Sequence, residues 1–85
     1  MVSFMYTIKA PVGLHARHAG LLVRETKKYR SAVTVSCGGR AVDGKRILNL
    51  MGLGVRQGDL LKITVEGEDE DLALQELKAF FFANF

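Results

Sequence analysis

From Met1 to Ile8 apolar and polar positions alternate, with Val2, Phe4, Tyr6 and Ile8 on one face and Met5 and Thr7 on the other, which predicts a strand. Lys9-Ala10-Pro11-Val12-Gly13 then reads as a loop, because Pro and Gly both interrupt regular structure. Beyond it the period changes. Ala16, Ala19, Leu22, Val23 and Thr26 recur at helical spacing, predicting a helix from Ala16 to about Tyr29. Ala32 to Cys37 alternates with β-branched residues, Gly38-Gly39 suits a tight primed turn, and Arg40-Ala41-Val42 returns as a short strand. Ile47 to Met51 has room for only about two helical turns before Gly52 and Gly54. Leu60 to Val65 supplies a fourth strand, and Ala73, Leu74, Leu77, Phe80 and Phe81 mark the buried stripe of a last helix. Phe82 falls off that stripe. Asn84 is expected in the left-handed terminating position, letting Phe85 fold back on the last turn.

Strand, helix, strand, strand, helix, strand, helix is best packed as an α+β two-layer domain, a four-stranded antiparallel sheet with three helices on one face. No linker, repeat or low-complexity segment divides the chain, so residues 1–85 are read as one domain. A chain of 85 residues is too small to bury a deep active-site cavity, and chemistry is expected on its surface. Hydrophobic residues at 48% and charged residues at 25% are ordinary globular values. No apolar run approaches the ~20 residues of a membrane span, and no signal peptide opens the chain, so a cytoplasmic protein without membrane insertion is expected. The single cysteine, Cys37, has no partner for an internal disulfide and no metal-ligand spacing around it, and is read as a buried strand thiol rather than a reactive one.

The candidate chemistry lies at Gly13-Leu14-His15-Ala16-Arg17, where the first strand hands over to the first helix. The first N–H groups of a helix lack internal partners and carry the positive end of the macrodipole, so His15 is placed beside a ready anion site. The same field, with Arg17 two residues on, disfavours an imidazolium and leaves a ring nitrogen free as a nucleophile. Phosphate is the expected anion. A phosphoryl group on His15 would meet the Ala16 and Arg17 N–H groups and the Arg17 guanidinium fork. Arg17, Gly20, Arg24 and Lys27 share one helical stripe beside the apolar one. Lys27, Lys28 and Arg30 also suit the helix carboxyl end, so the basic cluster has a plain explanation in helix stability as well as one in docking for Arg24 and Lys27. A two-turn helix cannot hide every apolar residue, so some of Ile47, Leu48 and Met51 are expected on the surface while Leu50 and Leu53 roof the core. Glu68, Asp69, Glu70 and Asp71 precede the last helix, where its dipole accounts for them.

Gly13-Leu14-His15-Ala16-Arg17 followed by Ala19 and Leu22-Val23, then Lys45-x-Ile47-Leu48 and Met51-x-Leu53-Gly54-Val55-x-x-Gly58, resembles the HPr family of phosphocarrier proteins of the sugar phosphotransferase system. The resemblance implies an open-faced sandwich with the short middle helix beside the amino end of the first. It also implies an Nδ1-phosphohistidine at His15, a donor in enzyme I, and acceptors in sugar-specific enzyme IIA domains. No metal, cofactor or oligomer is expected: the protein is read as a monomeric carrier, not an enzyme, whose docking face comprises Gly20, Arg24, Lys27, Arg46, Ile47, Leu48 and Met51. Two positions depart from the family. His18 stands where Pro is usual, giving up a fixed φ but restoring an N–H, and is expected to be tolerated and to tune the approach of partners rather than act as a second centre. Arg46 stands where many members carry a kinase-regulated serine, and no Ser, Thr or Tyr occurs from Cys37 to Ile63, so that switch is expected to be absent. Two other functions compete. One is an HPr-like binding or regulatory module that has lost transfer. The other, prompted by the net charge of +3, is a nucleic-acid-binding domain, against which stands the lack of aromatics on Ala32–Cys37 and Arg40–Val42, read as the two central strands.

Overall fold

Alternation along the first strand sets the layers: Val2, Phe4, Tyr6 and Ile8 turn inward, and Ser3, Met5 and Thr7 face out. The computed structural model describes residues 1–85, with β1 at Val2–Thr7, α1 at Ala16–Thr26, β2 at Ala32–Cys37, β3 at Arg40–Asp43, α2 at Ile47–Gly52, β4 at Leu60–Glu66 and α3 at Glu70–Asn84. All pairings are antiparallel, in the order β1-β4-β2-β3. One row of the sheet runs Phe4, Ile63, Val35, Val42, and the next inward row runs Val2, Val65, Val33. Against these rows pack Leu22 of α1, Leu50 of α2, and Ala73, Leu77 and Phe81 of α3, all fully buried. Each large apolar side chain so placed is worth about 1.5–3 kcal/mol of transfer free energy. The expected α+β sandwich is the fold.

Four details differ from the sequence reading. The central strands are β4 and β2, not β2 and β3, because α2 carries the chain back across the sheet and inserts β4 beside β1. Neither central strand carries an aromatic residue, while Phe4 and Tyr6 on the edge pack inward near Phe81. Helix α1 ends at Thr26 rather than near Tyr29. There the fully buried Thr26 hydroxyl donates to the Gly44 carbonyl at 2.8 Å, and tight-turn bonds from Lys28 and Tyr29 swing the Tyr29 ring into the core. Ala16 is exposed, since the helix's first turn stands proud of the sheet. Asn84 is not left-handed: α3 runs through it, its side-chain amide donates to the Phe80 carbonyl at 2.8 Å, and Phe85 still folds back, buried against Phe81.

The expected hairpin stands on Gly38 and Gly39, with φ of 58° and 83°, the two positive values a primed turn demands. Asp69 does more than answer a helix dipole. Its carboxylate accepts from the Arg30 and Ser31 N–H groups, each at 2.9 Å, and from the Ser31 hydroxyl, bridging the start of α3 to the turn before β2.

Candidate functional site

Gly13 sets the approach to the site. Its φ of 65° is left-handed, and a Cβ there would stand 2.3 Å from the Val55 carbonyl oxygen. The Leu14 N–H donates to that same carbonyl at 3.2 Å, and the Leu14 side chain is buried. The chain therefore crosses close over Val55 and leaves His15 exposed as the N-cap of α1. His15 has extended backbone geometry, its carbonyl accepts from Ala19 at 2.8 Å, and its Nδ1 accepts the Arg17 N–H at 3.3 Å. A ring nitrogen that accepts carries a lone pair, so neutral His15 holds its hydrogen on Nε2 and turns Nδ1 to the helix amino terminus. The Arg17 guanidinium is exposed and engages no protein group.

Farther along α1, Gly20 faces α2: a Cβ on it would lie 3.7 Å from Ile47 Cδ1. Ile47, Leu48 and Met51 are 39%, 77% and 40% exposed, whereas Leu50 and Leu53 are buried, which is the division expected of so short a helix. Arg24 and Lys27 are exposed and free of ion pairs, while Lys28 is tied to Glu25 at 2.9 Å and Arg30 to Glu68 at 3.5 Å. Arg46 caps α2 by backbone alone, with its Nε 3.8 Å from Asp43. The largest surface depression, about 600 Å³, is lined by Val23, Lys27, Lys45, Arg46, Ile47 and Leu48 rather than by His15. Lys27 lies about 18 Å from His15 along the helix axis, so α1 and α2 present one continuous face with the histidine at one end and this groove toward the other.

Two contacts had no signal in the sequence. His18 is half-buried, with its ring 4.8 Å from that of His15 and its Nδ1 3.2 Å from the Gly13 carbonyl oxygen. Phe85 closes the back of the site, its carbonyl accepting from the Lys9 and Ala10 N–H groups at 2.6 and 2.8 Å. Cys37, expected to be buried, is only half-buried at the hairpin end of β2 and lies off this face; burial, with the Asp59 charge second, pushes its thiol above the ordinary value. A thiolate is correspondingly scarce.

Residues 2–82 match the family model described as "PTS HPr component phosphorylation site". The chain belongs to the HPr family of phosphocarrier proteins of the phosphotransferase system. The phosphocarrier protein HPr of Xylella fastidiosa is 36% identical over 85 residues, covering 100% of this chain and 96% of its own. A crystal structure of HPr-C-His from Thermoanaerobacter tengcongensis is 36% identical, covers 100% of this chain and 96% of that one, and superposes with a TM-score of 0.94. A crystal structure of an HPr dimer from the same organism, also 36% identical, gives 0.76, covering 98% of this chain and 95% of that one. The HPr fold thus accounts for the whole two-layer architecture. No helix of this member is long and apolar enough to cross a membrane.

Proposed function

We propose that this HPr-family chain is a cytoplasmic, monomeric phosphoryl carrier that takes phosphate on His15 from enzyme I and passes it to sugar-specific enzyme IIA domains. The observation that carries this reading is the orientation of His15 Nδ1 toward the Arg17 N–H. In transfer, a bond forms between phosphorus and Nδ1 as the bond to the donor breaks, and the ring hydrogen stays on Nε2. No base is required. Little covalent work is left for the protein, and catalysis becomes positioning and charge stabilisation. The Arg17 N–H, now spent on Nδ1, turns to a phosphoryl oxygen, and the Ala16 N–H and the unpaired Arg17 guanidinium serve the others.

Both partners would dock on the face formed by Gly20, Arg24, Lys27, Arg46, Ile47, Leu48 and Met51, an apolar patch inside a basic rim. Such a surface suits brief, charge-assisted encounters with acidic partners. Arg46 cannot be phosphorylated, so the carrier would remain competent to dock where a serine-bearing relative can be switched off. Incubation with phosphoenolpyruvate and enzyme I, followed by intact-mass measurement, tests the reading. The wild type should gain one acid-labile phosphoryl group and His15→Ala none, while keeping its fold. Uptake of phosphate by His15→Ala would defeat it.

A further inference from the structure

His18 stands three residues from His15 on the first turn of α1, and its ring has two aromatic neighbours, His15 and Phe85. Its Nδ1 is 3.2 Å from the Gly13 carbonyl oxygen, and a carbonyl can only accept, so this nitrogen carries the hydrogen. Gly13 is itself buried and packed closely over the Val55 backbone, which supports this carbonyl. The ring meets Phe85 edge to face, with centroids 5.2 Å apart at 76°. Phe85 is buried and rests on Phe80 and Phe81, at 5.9 and 5.1 Å. The His15 ring lies 4.8 Å from the His18 ring, tilted by 50°. An exposed N-cap histidine is otherwise free to turn about its side-chain torsions, and a turn of the ring would take Nδ1 away from the helix amino terminus.

We propose that His18 is a positioning residue for phosphoryl transfer, a wall anchored to Gly13 and Phe85 that holds the His15 ring with Nδ1 toward the Arg17 N–H. This rests on the reading of His15 as the acceptor. With its hydrogen on the Gly13 carbonyl, His18 has no lone pair at Nδ1, the ring position that carries the phosphoryl group on His15. Phenylalanine at 18 would keep the flat wall and lose the anchor, whereas alanine would lose both.

The test pairs a structural readout that needs no transfer with a kinetic one. In unphosphorylated, isotope-labelled full-length protein, NMR relaxation measures the order of the His15 ring, and hydrogen exchange follows the Arg17 amide. His18→Ala should loosen the ring and speed exchange at Arg17. The transfer rate at saturating enzyme I should fall on the order of tenfold, with KM for enzyme I left alone. His18→Phe should recover most of the ring order and part of the rate. An undisturbed His15 ring and Arg17 amide in His18→Ala would overturn the proposal. So would a collapse of transfer with the His15 ring still ordered, which would make His18 a participant in the chemistry. Should the wild type never take phosphate while the ring still loosens in His18→Ala, the carrier reading fails; His18 then orders the His15 ring without serving transfer.

Discussion

Gly13 has no room for a side chain, and this single constraint places the histidine. Alanine there would have to hold a left-handed φ and put its Cβ 2.8 Å from Arg56 Cα as well as against the Val55 carbonyl. Both neighbours are backbone, which cannot swing aside. Gly13→Ala should therefore cost ~3 kcal/mol, or more than ~10 °C in melting temperature for a domain of this size. It should also displace the Leu14–Val55 hydrogen bond that leads into His15, so that phosphoryl uptake falls in protein that is still folded at low temperature. Calorimetry and a single-turnover assay measure the two effects. A melting temperature within a few degrees of wild type would mean that the loop over Val55 gives way more easily than its contacts imply. The glycine could be read from the motif, but its reason could not, since Val55 lies 42 positions along the chain (55 − 13) and nothing local announces the meeting.

The elements were legible where a local period or turn chemistry dictated them. β2 ends where alternation ends, and two glycines make the next turn whatever surrounds them. The end of α1 was obscured because Lys27-Lys28-Tyr29 continues a pattern any helix would accept. What stops it is a hydroxyl bond from Thr26 to Gly44, 18 residues away. In α2 the exposed Ile47, Leu48 and Met51 followed from the helix's brevity, yet which charges would surround them depended on packing against α1. Arg46 is the charge to test. Its only ionic contact is a long 3.8 Å approach to an exposed Asp43, so the charge is available to a partner. Arg46→Asp should weaken docking to enzyme I on the order of tenfold at low ionic strength, and the difference should shrink as salt passes about 0.15 M. Titration at several salt concentrations measures it. Equal affinities at low salt would take α2's rim out of the docking face. An HPr-type serine kinase with ATP should label nothing between Cys37 and Ile63.

Across the whole molecule, α3 is held to the rest of the chain by its buried stripe and by two carboxylates: Glu76, on which the sequence pattern was silent, and Asp69, which it explained only as helix-end charge. Near its middle, Glu76 accepts the Tyr29 hydroxyl at 2.6 Å, with Glu25 of α1 at 2.7 Å from the same oxygen. Burial first, then Glu76 and Glu25, push the Tyr29 phenol well above its ordinary value. At the head of α3, the Ser31 hydroxyl above all, with the Arg30 N–H next, holds Asp69 down to about 2 from an ordinary 3.8. The signs are opposite. A depressed carboxylate adds stability above its unfolded value, and that stability is lost as pH falls from about 4 through about 2. A raised phenol adds stability below its unfolded value near 10, lost as pH climbs beyond it. The stability profile should be flat between these limits and fall at both ends. Asp69→Asn should lower stability at neutral pH and flatten the acid limb, because the amide cannot gain the proton that breaks the clamp, while the alkaline limb stays as in wild type. Tyr29→Phe should flatten the alkaline limb, and it should change the acid limb only to the extent that Glu25 loses the hydrogen bond from the Tyr29 hydroxyl. Urea unfolding of the three proteins from pH 2 to 11 decides it. An acid limb equally steep in wild type and Asp69→Asn would show that the Asp69 clamp does not set the acid sensitivity, which would then arise at other depressed carboxylates such as Glu70 or Glu25.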